Sequence, residues 1–253
     1  MEKLSVVLIT KNEEKNLRRC LESVKDIADE IVIADSFSTD ATAAIAAEFG
    51  CRFLTQEWLG YAEQKNFANA RTSYNLIFSI DADEAVSPEL RNSILELKRH
   101  HQTGTVYEMN RLMNYCGKWI RHCGWYPDRK PRVFEKTTSY WHGNSVHETL
   151  FIPQNAKRII LKGDLYHYSY YTVEEHLQRA EKYAKLSAEI ACQKGKKTNV
   201  VAMCLRTGWR FIRDYVFRLG FLDGRLGIVV CRMNAYTIYL KYKYLLEFCH
   251  KKS

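Results

Sequence analysis

Proline and glycine are scarce in this chain, with four prolines and 12 glycines among 253 residues. This scarcity excludes a collagen-like chain or a proline-rich disordered chain, and an apolar content of 46% is sufficient for a sizeable core. No apolar run reaches the ~18 residues that a membrane-spanning helix needs. The apolar run at residues 6–9 is too short for a signal peptide, so we expect a cytoplasmic protein whose eight cysteines are free thiols.

Two common nucleotide-binding signatures are also missing. The chain contains neither the phosphate-binding loop G-x-x-x-x-G-K-[S/T] nor the dinucleotide fingerprint G-x-G-x-x-G. Because these glycines let the backbone approach phosphates closely, their absence disfavours a P-loop NTPase and a dinucleotide-dependent oxidoreductase.

Charge is unevenly distributed along the chain. Residues 1–100 contain 12 basic and 17 acidic residues, a net charge of −5, whereas residues 101–253 contain 26 and 12, a net charge of +14. Residues 194–253 alone contain 13 basic and 3 acidic residues, a net charge of +10. We therefore expect the C-terminal part to contact a polyanionic partner.

The first hundred residues alternate between short apolar runs and segments of helical periodicity, which predicts a parallel sheet covered on both faces. The predicted strands are residues 4–9, 31–34, 52–54 and 74–80. Capping patterns predict that helices begin near Asn12, Ser38, Gly60 and Ser87.

After residue 103 the pattern changes to short strands rich in aromatic residues and then to long helices at 172–193, 199–219 and 223–249. The sequence thus predicts an α/β catalytic domain over residues 1–170 and a basic, amphipathic helical extension over residues 171–253. Within the domain we expect residues 1–100 to bind the activated substrate and residues 101–170 to bind the acceptor.

Polar side chains follow three of the predicted strands, at the edge of an open parallel sheet where ligands bind. They are Thr10, Asn12 and Glu13 after the first strand, Asp35 after the second, and Asp81 and Asp83 after the fourth. Turn and capping chemistry explains any one of them alone. Carboxylates gathered at one edge repel each other, however, unless a cation or a hydrogen-bonding ligand compensates.

The Asp81-Ala82-Asp83 segment carries the more specific signal. Alternate residues of an extended segment point the same way, so both carboxylates can face one divalent ion and the phosphates bound to it. Its position between a buried strand and a capped helix indicates a metal–diphosphate site.

These segments resemble the family 2 inverting glycosyltransferases of GT-A fold. Residues 5–14 are similar to the opening strand and nucleotide loop of that family, residues 31–42 to its base-binding segment, and Asp81-Ala82-Asp83 to its metal motif. More narrowly, four motifs resemble those of bacterial lipopolysaccharide-core β-glucosyltransferases. They are Gln64-Lys65-Asn66, Gly124-Trp125-Tyr126-Pro127-Asp128, Val146-His147-Glu148 and Asp223-Gly224-Arg225.

The resemblance implies a role for each of these residues. Asp83, together with Asp81, would hold Mg²⁺ or Mn²⁺ on the diphosphate of the donor. The other donor-binding residues would be Thr10, Asn12, Glu13 and Asp35 at the nucleoside and Lys65 at the ribose or diphosphate. Glu148 would be the general base, although it could instead be a surface carboxylate paired with Arg129 or Arg132. His147 would be a third metal ligand or, alternatively, a structural histidine.

Two features after residue 120 suggest acceptor contacts. Trp125 lies in a predicted loop and is a candidate for stacking on a sugar, with a place in the core as the alternative. Arg129, Lys130 and Arg132 form a basic cluster that suits a phosphorylated acceptor, and a solvated loop is the other interpretation.

The resemblance implies transfer of a hexose, with glucose favoured, from a UDP-sugar to a lipopolysaccharide-core or other lipid-linked acceptor. Aromatic and basic residues are interleaved in the tail, where Lys241, Lys243, Lys251 and Lys252 favour an anionic membrane surface on its cytoplasmic side. The alternative is that these helices pack against the catalytic domain and leave a solvated basic face. No nucleic-acid-binding motif is present. The alternatives are a sugar-activating nucleotidyltransferase and a non-catalytic module that binds a nucleotide-sugar or a membrane.

Overall fold

The structure, a computed structural model, describes residues 1–143 and 148–250. The chain forms two compact units. The first consists of Met1–Arg111 and Asp128–His167, and the second of Leu112–Pro127 and the C-terminal part from Tyr168. The predicted split at residue 170, into a catalytic domain and a basic helical extension that packs on it, stays a prediction.

The elements alternate in the order that the sequence predicts for the first hundred residues. The strands are β1 (Leu4–Thr10), β2 (Glu30–Asp35), β3 (Arg52–Thr55), β4 (Leu76–Ser79), β5 (Glu84–Val86), β6 (Thr105–Tyr115), β7 (Lys118–Ile120), β8 (Asp128–Glu135), β9 (Tyr140–His142), β10 (Thr149–Phe151) and β11 (Lys157–Tyr170). The helices are α1 (Glu14–Val24), α2 (Thr42–Glu48), α3 (Tyr61–Asn69), α4 (Pro88–His100), α5 (Val173–Gln193), α6 (Val200–Ile212) and α7 (Gly224–His250).

The main sheet has the strand order β3-β2-β1-β4-β8-β6-β11-β5, with β7 paired to β6. Strands β3, β2, β1 and β4 are parallel, whereas β8 pairs with β4 and β6, and β5 with β11, in antiparallel fashion. Strands β1 and β4 are almost completely buried, as their unbroken apolar runs predict. The α/β fold predicted from the sequence is confirmed, and its parallel strands place the ends of β1, β2 and β4 at one edge.

The second unit is built mainly of helices, with α7 packed against both α5 and α6. A single π-helical turn (Arg213–Phe217) and a 3₁₀ turn (Gly220–Asp223) connect α6 to α7. Side-chain caps begin α5 and α6, where Thr172 accepts from the amide of Glu175 and Asn199 from that of Ala202. Within the described part of the chain, no helix is both long and apolar enough to span a membrane.

Candidate active site

The ends of β1 and β2 are joined by a hydrogen bond between two predicted donor-binding residues. Thr10 and Asp35 are opposite each other in the parallel register, and Thr10 Oγ1 donates to Asp35 Oδ1 at 2.7 Å. Asp35 is 2% exposed, and its carboxylate also accepts from the amide and hydroxyl of Ser38. Asn12, at a φ of 55°, accepts from the amide of Thr39. These residues therefore hold the loop after β2 in place.

Glu13 adds a further carboxylate near this edge. Burial raises the pKa of Glu13, and the negative charges of Asp83, Asp40 and Asp81 raise it further, against a hydrogen bond from Asn16 that lowers it. The carboxylates of Asp83, Asp40 and Asp81 thus repel the charge of Glu13, and a cation bound near Asp83 would reduce this repulsion.

Asp81 is flanked by two cations, and its place beside Asp83 at a shared metal ion stays a prediction. Lys65 Nζ lies 3.1 Å from Asp81 Oδ1, and Arg132 Nη2 lies 2.6 Å from Asp81 Oδ2. Burial works to raise the pKa of Asp81, but the charges of Arg132 and Lys65 outweigh it and hold that pKa well below its ordinary value. Asp81 is therefore an anion with both oxygens already engaged.

The structure corrects the expected position of Arg132. The sequence places it in an exposed basic cluster, but it lies in β8, is 4% exposed, and donates to Asp81 and the fully buried Glu84. A buried carboxylate needs a paired cation, and Glu84 takes Arg132 for that purpose. Arg129 is exposed and Lys130 pairs with Asp128, so an acceptor contact from this segment would fall to Arg129 and not to Arg132.

Asp83 has a neighbour that the sequence does not reveal. Because β5 and β11 are antiparallel with His167 opposite Glu84, the imidazole of His167 lies beside Asp83, with Nε2 3.1 Å from Asp83 Oδ2. His167 is 84 residues away along the chain, and no local motif marks it. The pairing of β5 with β11 is what brings it to Asp83.

Glu148 and Asp81 lie on either side of one ammonium group. Lys65 Nζ is 3.0 Å from Glu148 Oε1 and 3.1 Å from Asp81 Oδ1, and it also lies 4.6 Å from the ring centre of Trp141. Lys65 is only 3% exposed, so it is fixed between these groups. The sequence offers Arg129 or Arg132 as ion-pair partners of Glu148, whereas the structure shows Lys65. His147 lies outside the described residues.

The residues present fit a divalent metal ion at Asp83. Within residues 1–143 and 148–250, no three His, Cys, Asp or Glu side chains form a group that could hold a metal by themselves. Asp83 and His167 nevertheless offer a carboxylate and an imidazole next to each other, which are ligands that Mn²⁺ accepts. The remaining ligands would be diphosphate oxygens and water, as is usual for a metal bound with a phosphorylated substrate.

Trp125 belongs to the second unit and packs in an aromatic cluster. Its ring centre lies 5.7 Å from those of Tyr115 and His176, and its Nε1 donates to Asn234 Oδ1 at 3.3 Å. These contacts are those of a core residue, and a stacking contact with a sugar stays a prediction.

Parallel strands whose ends carry hydrogen-bonded and ion-paired carboxylates at one edge of the sheet are typical of an α/β enzyme whose ligand binds at that edge. The sequence model of Glycosyl transferase family 2 matches residues 5–156, more than half of the chain. The chain therefore belongs to this family, as its motifs predict.

Two relatives that align along nearly the whole chain are also named glycosyltransferases. The chain is 30% identical over 258 residues to the lipopolysaccharide core biosynthesis glycosyltransferase LpsC of Rhizobium meliloti (strain 1021), covering 94% of this chain and 93% of that protein. It is 31% identical over 266 residues to an uncharacterized glycosyltransferase of Rickettsia felis, with 98% and 90% covered. Among solved structures, S. aureus TarS 1–349 in complex with UDP aligns with a TM-score of 0.46 and 13% identity, covering 99% of this chain and 92% of that one.

Proposed function

We propose that the protein is an inverting, metal-dependent hexosyltransferase that uses a UDP-sugar and acts on a lipid-linked glycan, with glucose the favoured sugar. The observation that carries this proposal is the bridge of Lys65 between Asp81 and Glu148. It supports the proposal because the candidate base Glu148 and Asp81 of the Asp81-Ala82-Asp83 segment contact the same ammonium group. An inverting transfer needs this proximity, because the acceptor hydroxyl must lose its proton as the diphosphate departs.

The roles of the donor-site residues follow from their contacts. Asp83 and His167 would hold Mg²⁺ or Mn²⁺, which supplies Lewis-acid stabilisation of the leaving diphosphate. Thr10, Asn12 and Asp35 would orient the nucleoside through the loop that they brace. Asp81 would hold Lys65 in position through their ion pair.

Glu148 would accept the proton of the acceptor hydroxyl. Its side chain is 23% exposed, so it can meet an incoming acceptor while Lys65 keeps it oriented. The proton would move from the acceptor hydroxyl to a carboxylate oxygen of Glu148. At the same time the acceptor oxygen would bond to the anomeric carbon of the sugar, and the bond from that carbon to the diphosphate would break, releasing UDP.

A lipopolysaccharide-core acceptor is supported by the relative from Rhizobium meliloti, whose name states lipopolysaccharide core biosynthesis and which aligns along almost the whole of this chain. Family membership favours the transferase over the nucleotidyltransferase alternative. A non-catalytic module is the remaining alternative, and the donor measurement below, together with the turnover assays on variants, separates it from an enzyme.

A donor panel tests the proposal directly. With Mn²⁺ present, we expect a UDP-hexose at 100 times its Kd to raise the free energy of unfolding by about 2.7 kcal/mol, visible as a higher Tm. The matching GDP- and dTDP-sugars serve as controls for the base. Stabilisation by a GDP- or dTDP-sugar alone would contradict the UDP assignment, and stabilisation by no nucleotide sugar would contradict the transferase itself.

Membrane association is the second part of the proposal, and the outward face of α6 supports it. The exposed side chains along this helix and the π-helical turn recur every three or four residues and are apolar. They are Val201, Leu205, Trp209, Ile212 and Val216, with exposed fractions between 47% and 69%. An amphipathic helix with its apolar side outward is typical of an interfacial membrane contact.

The charges around this face indicate an anionic lipid surface. Residues 194–222 contain seven basic residues and one acidic residue, Asp214, which is fully buried. Lys194, Lys196 and Lys197 are exposed immediately before α6. Each basic residue near an anionic surface contributes about 1 kcal/mol. Of the four lysines predicted to make this contact, Lys251 and Lys252 lie outside the described residues.

We expect the double variant Leu205→Ser with Trp209→Ser to bind anionic vesicles about tenfold or more weakly than the wild type, because two large apolar side chains no longer enter the interface. Vesicle sedimentation measures this. The matched control is Trp58→Ser with Leu59→Ser, an exposed pair of the same residue types in the first unit. Equal binding of the wild type and the α6 variant, or equal loss in the control, would contradict this membrane face.

A further inference from the structure

A cavity of about 350 Å³ in the second unit is lined by two arginines and a histidine. Those that matter for its chemistry are Arg121, His122 and Arg218, with the rings of Tyr126 and Phe217 beside them. None of the described residues that line it is acidic. The residues that line the cavity belong to the second unit, and those of the proposed donor site belong to the first.

Arg218 is held in this cavity by the backbone of a neighbouring loop. A Cβ atom at Gly124 would collide with the guanidinium of Arg218 in its present position, and the φ of Gly124 is +74°, a conformation that favours glycine. The carbonyl of Arg218 also accepts from the amide of Cys123 at 3.1 Å. Cys123 and Leu219 both adopt positive φ, which is uncommon for such residues and is found at functional sites.

Arg218 makes only a long contact with its acidic neighbour, Asp214. Asp214 already accepts from Arg210 at 2.6 Å, from Arg213 at 3.0 Å and from Asn234 at 3.0 Å. Its oxygen lies 3.6 Å from Arg218, farther than any of these partners. Much of the guanidinium's hydrogen-bonding capacity is therefore available to an anion in the cavity.

His122 is held by Asp223 at the other side. Its Nδ1 lies 2.9 Å from Asp223 Oδ1, and Asp223 also accepts from the amides of His122 and Arg121. A carboxylate at Nδ1 orients the ring and leaves Nε2 as the nitrogen that a ligand can reach. Asp223 thus orients the ring of His122 and anchors the backbone of Arg121.

We infer that this cavity binds a phosphate monoester. Two guanidinium groups offer paired N–H donors that match phosphate oxygens, and an imidazole adds a third donor when it is protonated. The rings of Tyr126 and Phe217 suit the carbon skeleton that carries the phosphate. Assigning the phosphate to the acceptor rests on the proposed function, whereas phosphate binding itself does not.

A phosphate monoester occurs in two kinds of ligand, a phosphorylated glycan and the headgroup of a lipid. One titration series distinguishes them. The protein carries Asp83→Ala and is kept in chelator, so that the proposed metal site cannot bind the probe. Hexose 6-phosphate is titrated by calorimetry at constant ionic strength, and vesicles with phosphatidic acid are compared with phosphatidylcholine vesicles. Arg218→Gln and Arg121→Gln are the test variants, and Lys182→Gln, exposed on α5, is the matched control for loss of charge.

We expect each arginine variant to weaken binding of hexose 6-phosphate about tenfold or more, with Lys182→Gln unchanged. An effect confined to phosphatidic acid vesicles would assign the cavity to a lipid headgroup. Wild-type affinity in both arginine variants, for both probes, would overturn the inference, as would an equal loss in Lys182→Gln. Because no donor is present, this result is independent of whether the protein transfers a sugar.

Discussion

The variant Asp83→Ala is expected to lose sugar transfer by roughly a thousandfold or more, because a metal on the leaving diphosphate contributes several kcal/mol to the transition state. His167 remains in this variant, but a lone imidazole is a poor site for Mg²⁺, which prefers oxygen ligands. The measurement is turnover of the donor found in the panel, with Mn²⁺ and with chelator. Donor hydrolysis should fall together with transfer.

A surface carboxylate provides the control for this substitution. Asp26 is exposed and pairs with Arg91 at 2.9 Å, so Asp26→Ala removes the same group without touching the strand ends. Asp83 is itself partly exposed, and the urea midpoint of both variants should remain close to that of the wild type. Undiminished turnover of Asp83→Ala, in the presence and absence of chelator, would contradict the metal assignment.

The parallel half of the sheet was predictable because its strands are buried on both faces. Residues 4–9 and 74–80 are apolar runs of strand length, and β1 and β4 are found there. The sequence Ser87-Pro88 also predicts the start of α4. In the structure Pro88 begins this helix, and the hydroxyl of Ser87 accepts from the amide of Leu90. Local signals of this kind depend on residues close together in the chain.

The partners of the carboxylates were not predictable, because antiparallel pairing brings them from far along the chain. His167 meets Asp83 through the pairing of β11 with β5, and Arg132 meets Asp81 from β8. From the sequence alone, the basic segment at residues 129–132 is expected to be exposed to solvent. The buried Glu84, however, requires a cation, and which arginine it takes depends on strand register. The sequence thus predicts that Asp81 and Asp83 lie at one edge of the sheet, but it does not identify the basic side chains that pair with them.

The variant Glu148→Gln is expected to keep donor affinity and to lose transfer by ~10²–10⁴-fold, the usual contribution of a general base. The amide has the shape of the carboxylate and its oxygen can still accept from Lys65, 3.0 Å away in the wild type. It cannot take a proton from the acceptor hydroxyl. Donor affinity is measured by calorimetry and transfer by product formation, so that binding and chemistry are separated.

The control Glu22→Gln removes an exposed carboxylate from α1 and should change neither quantity. If Glu148→Gln instead weakens donor binding while the residual transfer rate at saturating donor stays at the wild-type level, Glu148 belongs to the nucleotide site and acts through Lys65. If neither affinity nor rate changes, the ion pair with Lys65 is only structural. A loss of rate alone is the result that a base requires, because a positioning role through Lys65 would survive in an amide that keeps the hydrogen bond.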